Sequence, residues 1–138
     1  MSNIPRGYGF RPEHEIDPAD AAAIAKGDSP GIILDVRFDD EIAIAAIDGS
    51  VNIPLPALEA EHEAVADALE DAGLTKADGT IAVMCHAGVR STKAALFLQA
   101  MGYANAKSIV GGIDWWAQTI DTAMPRYAGG PGAWKSLG

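Results

Sequence analysis

The 138 residues, about half of them hydrophobic, suit one compact domain and leave no room for a second. A formal net charge of −9 at pH 7 argues against binding to nucleic acid or to an anionic membrane, because both need clustered Lys and Arg. No run approaches the roughly 18 apolar residues that a bilayer crossing requires, and the N-terminus lacks the apolar core of a secretion signal. We therefore expect a cytoplasmic protein.

The chain has one cysteine, Cys85, and three histidines, His14, His62 and His86. A single thiol forms no internal disulfide, which agrees with a reducing compartment and excludes mechanisms that need two cysteines in one chain. The histidines are far apart in sequence and only His86 adjoins the cysteine, so no metal-binding spacing is present. We expect neither a metal nor another cofactor.

The N-terminal part of the chain combines an irregular arm with a first strand and helix. Residues 1–12 are rich in Gly, Pro and Arg and predict an extended or loosely docked arm. A short strand is expected over residues 14–16. Asp17 then serves as the N-cap of a helix over residues 19–26 that stops at Gly27.

A predicted strand over residues 31–35 brings two charged side chains to its carboxyl end. In open parallel α/β sheets the functional groups collect where the strands end, so Asp35 and Arg37 are candidates to lie near Cys85. We favour a structural ion pair or a turn cap over direct catalysis, because charged residues at strand ends commonly serve that way.

The middle of the chain predicts a short strand and a long helix. The pattern of residues 42–47 fits a short helix as well as a strand. Residues 50–54 predict a strand that ends at Pro54. A long helix is expected from Pro56 to Gly73, with His62 packed on its apolar side and acidic residues on the solvated side.

Residues 80–101 carry most of the functional information. The apolar run of residues 81–84 is typical of a strand buried on both faces, and it ends at Cys85. After the short segment of residues 86–90, apolar positions recur at helical spacing. This strand, loop and helix arrangement predicts that the thiol lies at an edge of the sheet and not in the core.

The loop after Cys85 has the features of an anion site. Backbone N–H groups around the sulfur and the N-terminal end of the following helix attract negative charge and favour the thiolate over the thiol. Gly88 provides a position that adopts positive φ, and Arg90 adds a fixed charge. A buried, unreactive cysteine is the alternative, but the loop composition and the immediate helix start favour a nucleophile.

The C-terminal part predicts one more strand and one more helix. The strand is expected at residues 107–110, and the pair Gly111–Gly112 allows the backbone to approach a neighbouring loop closely. The pair Trp115–Trp116 begins the helix, where these side chains line a pocket beside the thiolate or, for at least one of them, join the core. Residues 122–138 predict a tail that wraps the domain or remains mobile.

Strands alternate with helical segments along the chain, which predicts an α/β fold with a parallel sheet and helices on both faces. We divide the chain into an N-terminal arm (residues 1–12), one domain (residues 13–121) and a C-terminal tail (residues 122–138).

Four segments together resemble the rhodanese-like domain family. The loop Cys85-His-Ala-Gly-Val-Arg-Ser91 is similar to that family's active-site loop. Residues 34–37, 47–54 and 111–115 match its other recurrent segments in order and spacing. Each segment alone is weak evidence for the family, whereas the four segments in this order are specific to it. The resemblance implies a single rhodanese-like domain with a five-stranded parallel sheet flanked by helices.

The resemblance also implies a function, that of a thiosulfate sulfurtransferase. The family's cysteine takes a sulfane sulfur from a donor such as thiosulfate, holds it as a persulfide and passes it to cyanide or a thiol. Cys85 corresponds to that catalytic cysteine. The loop residues implied to bind the transferred sulfur and the departing anion are His86, Ala87, Gly88, Val89 and Arg90.

Two other functions compete with this interpretation. A cysteine-dependent phosphatase uses Cys-x5-Arg, whereas the spacing here is Cys-x4-Arg, so the loop is one residue shorter and better suited to a single sulfur. Alternatively, the domain is a sulfur-relay or binding module with a protein acceptor, and thiosulfate activity is incidental. The acidic segment of residues 59–70 is then a candidate docking face.

Overall fold

The computed structural model describes residues 2–137. The helices and strands in chain order are β1 (Glu15–Ile16), α1 (Pro18–Ala25), β2 (Ile32–Asp35), α2 (Asp39–Ile42), β3 (Val51–Asn52), α3 (Leu55–Glu61), α4 (Glu63–Asp71), β4 (Ile81–Met84), α5 (Val89–Ala100), β5 (Ala106–Ile109), α6 (Gly112–Thr119), β6 (Tyr127–Ala128) and β7 (Lys135–Ser136). Strands β1 to β5 form one parallel sheet in the order β1-β5-β4-β2-β3, and β6 pairs with β7 in a separate antiparallel hairpin. The predicted fold class is confirmed.

Helices cover both faces of the sheet because side chains of each strand alternate between the faces. In β4, Ile81 and Val83 pack with α3, α4 and α5, whereas Ala82 and Met84 pack with α1 and α6. All four residues are fully buried, as expected for the central strand of a parallel sheet. Cys85 follows β4 and continues the alternation into the α5 side of the core.

The segments that follow β2, β4 and β5 meet at one edge of the sheet, since parallel strands end on the same side. Strand β4 lies between β2 and β5, so the chain leaving β4 has a neighbour on each side.

The N-cap prediction for the first helix is confirmed, because the Asp17 carboxylate accepts a hydrogen bond from the Ala19 N–H at 2.9 Å.

The long helix predicted from Pro56 to Gly73 is two helices, α3 and α4, that meet at His62. The His62 carbonyl accepts hydrogen bonds from the Tyr103 hydroxyl and from the Val65 N–H, both at 2.9 Å. The bond to Val65 is spaced three residues apart, as in the tight turns that are frequent at helix ends. The packing role predicted for His62 is confirmed, since its ring makes edge contacts with Phe97 and Tyr103.

Residues 42–47, for which the sequence fits a helix or a strand, form neither apart from Ile42, the last residue of α2. The short helix α2 ends at Ile42, and the next residues are turn and irregular structure. The Ala45 carbonyl in this segment accepts a hydrogen bond from Arg37 Nη2 at 2.8 Å. A side chain therefore satisfies this backbone group, in place of the hydrogen bonds that a neighbouring strand would provide.

The C-terminal tail wraps the domain, which was one of the two alternatives predicted for it. It contains the hairpin of β6 and β7, which the sequence pattern did not indicate. Tyr127 in β6 is 2% exposed and belongs to the core layer shared with α1 and α6.

The two adjacent tryptophans have different roles, and one of them contacts the N-terminal arm. Trp116 is a core residue, whereas the Trp115 Nε1–H donates a hydrogen bond to the Asn3 carbonyl at 2.9 Å and holds the arm. The backbone N–H of Asn3 also bonds to the Asp17 carboxylate at 2.8 Å.

Within residues 2–137, no helix has both the length and the hydropathy needed to cross a membrane.

Candidate active site

The central strand β4 delivers Cys85 to the carboxyl edge of the sheet, but its thiol is buried. Cys85 is 1% exposed and packs in the core layer that contains α5. The prediction of a thiol outside the core is therefore wrong. The physical reason is that the loop of residues 86–90 and the first turn of α5 close over the sulfur.

Two hydrogen-bonding groups contact the sulfur. The backbone N–H of Gly88 donates to Cys85 Sγ at 3.0 Å, which is the kind of main-chain contact predicted for the loop. Ser91 Oγ lies 3.2 Å from the same sulfur and 2.7 Å from Ser108 Oγ. When the sulfur is ionised, the Ser91 hydroxyl is able to donate to it while accepting from Ser108. Both serines are buried, and neither was singled out from the sequence.

Gly88 gives the loop its shape. It caps the N-terminus of α5 with φ of +111°, in the left-handed region that only glycine adopts readily. The residue-specific prediction of a positive φ at this position is confirmed. The first N–H groups of α5 have no carbonyl partner within the helix and lie at the positive end of its dipole. The loop and helix end together provide a site for negative charge.

Helix α6 holds the other side of the loop. The N–H of Ile113 donates to the Cys85 carbonyl at 2.9 Å, and the N–H of Asp114 donates to the His86 carbonyl at 3.0 Å. Because C=O and N–H point in opposite directions across a trans peptide, these two bonds turn the N–H groups of His86 and Ala87 away from α6. The peptide planes of the loop are thereby oriented.

The contact between the loop and α6 requires glycine at position 112. A Cβ at Gly112 would lie 2.5 Å from the His86 carbonyl oxygen and 2.7 Å from the Ala87 nitrogen. The close approach that the Gly111–Gly112 pair predicts is therefore confirmed at Gly112.

Arg90, at the end of the loop, is paired with a buried carboxylate. Its Nη1 and Nη2 donate to Glu41 Oε1 and Oε2 at 2.6 and 2.7 Å. Burial by itself would raise the pKa of Glu41, but hydrogen bonds from Arg90, the Tyr127 hydroxyl and the Phe38 N–H outweigh it and lower that pKa below 4.5. Glu41 in turn raises the pKa of Arg90. The positive charge of Arg90 is therefore shared with Glu41 and not held free for a ligand.

Asp35 and Arg37 form the structural ion pair that the sequence favoured. Arg37 Nε and Nη2 donate to the Asp35 carboxylate at 2.9 and 2.7 Å, and the pair is fully buried. Arg37 Nη1 also donates to the Tyr127 hydroxyl at 3.1 Å. Burial would lower the pKa of Arg37, yet the hydrogen bonds from its guanidinium to Asp35 and Tyr127 raise it. Neither residue of the pair contacts the sulfur.

His86, the first residue of the loop, contacts the C-terminal hairpin. Its ring stacks on the Tyr127 ring with centroids 4.4 Å apart and planes 21° apart. His86 Nε2 lies 3.0 Å from the Tyr127 carbonyl oxygen, so the tautomer with a proton on Nε2 donates there. The Trp134 ring makes an edge contact with His86 at 5.5 Å.

A cavity of about 470 Å³ opens beside the loop. Ala87, Gly88 and Val89 form its wall next to the sulfur, and Ser108 forms part of its wall at the end of β5. Val89 is 67% exposed. The remaining lining residues include Pro5, Tyr8, Glu15, Thr92, Lys93 and Gly111.

The structure therefore separates the predicted site residues by environment. Gly88 contacts the sulfur directly, Ala87 and Val89 are exposed at the cavity, and His86 and Arg90 are turned toward the hairpin. Sequence reasoning missed Ser91, Ser108, Glu41, Tyr127 and Trp134. Ser91 was available as the residue after Arg90, whereas the other four are brought to the loop by distant parts of the chain.

Similarity to known proteins covers most of the chain. The sequence model of the family described as Rhodanese-like domain matches residues 17–119. A protein from Zea mays named "Adenylyltransferase and sulfurtransferase MOCS3-2" is 38% identical over 104 residues, which cover 75% of this chain and 21% of the maize protein. The chain thus spans about a fifth of the length of that relative.

Two solved structures share the fold at 27% sequence identity. A rhodanese-related protein from Thermoplasma volcanium matches 76% of this chain and 91% of its own, with a TM-score of 0.58. A Rhodopseudomonas palustris protein of unknown function, described as a possible tyrosine phosphatase, matches 76% of this chain and 80% of its own, with a TM-score of 0.60.

Proposed function

Because this chain belongs to the rhodanese-like domain family, we propose that it is a sulfurtransferase that carries a sulfane sulfur as a persulfide on Cys85. The observation that carries the proposal is the 3.0 Å hydrogen bond from the Gly88 N–H to the sulfur, within a loop that begins at the end of the central strand. Such a bond stabilises negative charge on sulfur without the transfer of a proton.

In the first half-reaction, the Cys85 thiolate attacks the outer sulfur of a donor such as thiosulfate. A new S–S bond forms, the S–S bond of the donor breaks, and sulfite leaves with the electron pair of that bond. The product is a persulfide whose outer sulfur carries the negative charge. Oriented N–H groups of the loop are suited to stabilise this charge, and no general base is needed once the thiol is ionised.

In the second half-reaction, a nucleophilic acceptor attacks the outer sulfur of the persulfide. The acceptor is cyanide or a thiolate, and it leaves as thiocyanate or as a new persulfide. The electron pair of the broken S–S bond returns to Cys85, which is again a thiolate. The two half-reactions predict ping-pong kinetics through a covalent intermediate.

A protein acceptor is the second candidate function, and a charged surface of the domain supports it. The exposed acidic side chains of α3 and α4 offer a charged docking face for a basic partner. These side chains are Glu59, Glu61, Glu63, Asp67 and Glu70.

A phosphatase is disfavoured by the surroundings of Arg90. A phosphate held by a cysteine loop needs an arginine whose donors are available to its oxygens. Here Glu41 accepts one N–H from each terminal nitrogen of Arg90, and its carboxylate compensates the positive charge that would attract a phosphate. The Cys-x4-Arg loop is also one residue shorter than the phosphatase pattern. We expect no turnover of an aryl phosphate.

Mass spectrometry of the intact protein tests the proposal. After treatment with thiosulfate, we expect an adduct of about 32 Da, the mass of one sulfur atom, that disappears when cyanide is added. The Cys85→Ser variant should fold normally and form no adduct. An adduct of equal yield in that variant, or none in the native protein, contradicts the proposal. Adding a small thiol to the persulfide distinguishes the two candidate functions. Loss of the adduct indicates transfer to thiols in general, whereas a stable adduct indicates a relay that needs a protein acceptor.

A further inference from the structure

The C-terminal hairpin lies outside the part of the chain that matches the family. That match ends at residue 119, whereas β6 and β7 with their connection occupy residues 127–136. The hairpin nevertheless contacts both ends of the loop that surrounds the sulfur. This chain therefore brings to its site an element that the family similarity does not account for.

At the start of the loop, the hairpin contacts His86 in three ways. The Tyr127 ring stacks on the His86 ring at 4.4 Å, and the Tyr127 carbonyl oxygen lies 3.0 Å from His86 Nε2. The Trp134 ring packs its edge against both of these rings, at 5.5 Å and 5.4 Å. His86 directly follows Cys85, so these contacts restrain the peptide next to the nucleophile.

At the end of the loop, the hairpin acts on Arg90 through Glu41. The Tyr127 hydroxyl donates to Glu41 Oε2 at 2.8 Å, and the same carboxylate binds Arg90 with two hydrogen bonds. The Arg90 guanidinium also lies over the Trp134 ring, 5.8 Å from its centroid. These groups fix the Arg90 side chain, which lies at the end of the loop in the first turn of α5.

The Tyr127 hydroxyl links two ion pairs that would otherwise be separate. It accepts from Arg37, which is paired with Asp35, and it donates to Glu41, which is paired with Arg90. Tyr127 is 2% exposed, so both bonds form away from water, where an unmade bond is costly. A single side chain thus connects the sheet, α2 and the hairpin to the loop.

From these contacts we infer that the hairpin is part of the active site and that Tyr127 is a positioning residue, which holds the sulfur-binding loop at His86 and, through Glu41, at Arg90. The inference rests on the proposed sulfur transfer. Catalysis by loop N–H groups depends on their exact placement, and a displacement of about 1 Å costs on the order of a hundredfold in rate. Tyr127 acts without contacting the reacting atoms.

The Tyr127→Phe variant tests this role because it keeps the ring that stacks on His86 and removes only the hydroxyl. We expect kcat for transfer from thiosulfate to cyanide to fall by about tenfold while KM for thiosulfate stays within about twofold, since loop placement matters most in the transition state. Tyr103→Phe is the matched control. It removes another buried hydroxyl, which bonds to His62 O at the far end of α5.

A second measurement does not depend on sulfur transfer. Cys85 is almost fully covered by its loop, so a loosened loop should let iodoacetamide reach the sulfur, and we expect several-fold faster alkylation in Tyr127→Phe than in Tyr103→Phe. Melting temperatures of both variants show whether their overall stabilities are comparable.

The outcomes distinguish the inference from the proposed function. A fall in kcat specific to Tyr127→Phe, with faster alkylation, supports the inference. Equal kcat and equal alkylation rates in the two variants overturn it, even if the native protein forms the persulfide. If the native protein forms no persulfide, the proposed function fails and Tyr127 has no catalytic role, whatever the alkylation rates.

Discussion

At the scale of single residues, Ser91 and Ser108 form a hydroxyl pair beside the sulfur. Ser91 Oγ lies 3.2 Å from Cys85 Sγ and 2.7 Å from Ser108 Oγ, and both side chains are buried. A hydroxyl at this distance donates to an ionised sulfur more strongly than to a thiol. The Ser91 hydroxyl is therefore placed to contact the sulfur beside the Gly88 N–H.

The Ser91→Ala variant is expected to lower kcat/KM for sulfur transfer by about ten- to a hundredfold, because a hydrogen bond to a charged group contributes about 1.5–3 kcal/mol. Steady-state kinetics with thiosulfate measures the change. Ser50→Ala is the control, since it also removes a serine hydroxyl, one that bonds to the Ile47 carbonyl near β3. Equal activity of the two variants would mean that Ser91 plays no part in the reaction.

Glu41 makes the stability of the site sensitive to acid. Its pKa in the folded protein is lower than the ordinary value of 4.5, because the hydrogen bonds from Arg90, Tyr127 and Phe38 outweigh burial. A lowered pKa means that the ionised carboxylate stabilises the fold at pH values above 4.5. This stabilisation is lost as the pH falls below 4.5 toward the pKa of the folded state.

The Glu41→Gln variant should therefore lose less stability than the native protein between pH 6 and pH 3, although it is less stable at pH 7. Urea unfolding at a series of pH values measures both effects. Asp40→Asn is the control because Asp40 neighbours Glu41 in α2 but is exposed. A pH dependence that is the same for Glu41→Gln and the native protein would show that Glu41 is not the titrating group.

At the scale of elements, two helix N-termini meet at the loop and have different roles. Helix α5 begins where the loop ends, and the N–H of its N-cap residue Gly88 donates to Cys85 Sγ. Helix α6 uses its first N–H groups to bind the carbonyls of Cys85 and His86, so it orients the loop rather than a ligand. The loop is rigid on this side because the α6 backbone is in direct contact with it at Gly112.

The Gly112→Ala variant is expected to displace the loop, since its Cβ would lie 2.5 Å from the His86 carbonyl oxygen. We expect loss of most sulfur transfer activity and a stability loss larger than the roughly 1–2 kcal/mol that a left-handed alanine costs. Gly49→Ala is the matched control, because Gly49 also has positive φ but a Cβ added there would meet no atom within 4 Å. If both variants keep full activity, the close approach at Gly112 does not determine the loop conformation.

At the scale of the whole molecule, the net charge opposes an anionic donor. A formal charge of −9 creates a repulsive field around the protein, whereas the attraction of the loop amides is local. The ion pairs of Arg37 and Arg90 with carboxylates add no net positive charge at the site. Salt screens the distant charges more than the close contacts, because the Debye length falls from about 30 Å at 0.01 M to about 8 Å at 0.15 M.

Transfer from thiosulfate should accordingly become faster as salt is added. We expect kcat/KM for thiosulfate to rise on the order of threefold between 0.01 M and 0.15 M ionic strength. Alkylation of Cys85 by neutral iodoacetamide is the control, and its rate should change little. A decrease of kcat/KM with salt would show instead that a local positive potential attracts the donor over a long range.

The sheet and the position of the candidate nucleophile could be predicted from the amino-acid sequence alone. Apolar runs at residues 32–34 and 81–84 lie in neighbouring buried strands, and Cys85 follows the central one. Gly88 and Gly112 were predictable because a positive φ and a close backbone approach each require glycine. These features are local, since each depends on a few consecutive residues whose backbone preferences are strong.

The contacts that hold the loop could not be predicted from the sequence, because they join segments far apart in the chain. Glu41, Ser108 and Tyr127 lie 49, 17 and 41 residues from their partners in or beside the loop, and no periodicity relates such distant positions. The burial of Cys85 also depends on these contacts, because the loop that covers it is fixed by α6 and the hairpin. The sequence predicts which atom reacts, whereas the packing of distant segments determines how that atom is covered and which groups contact it.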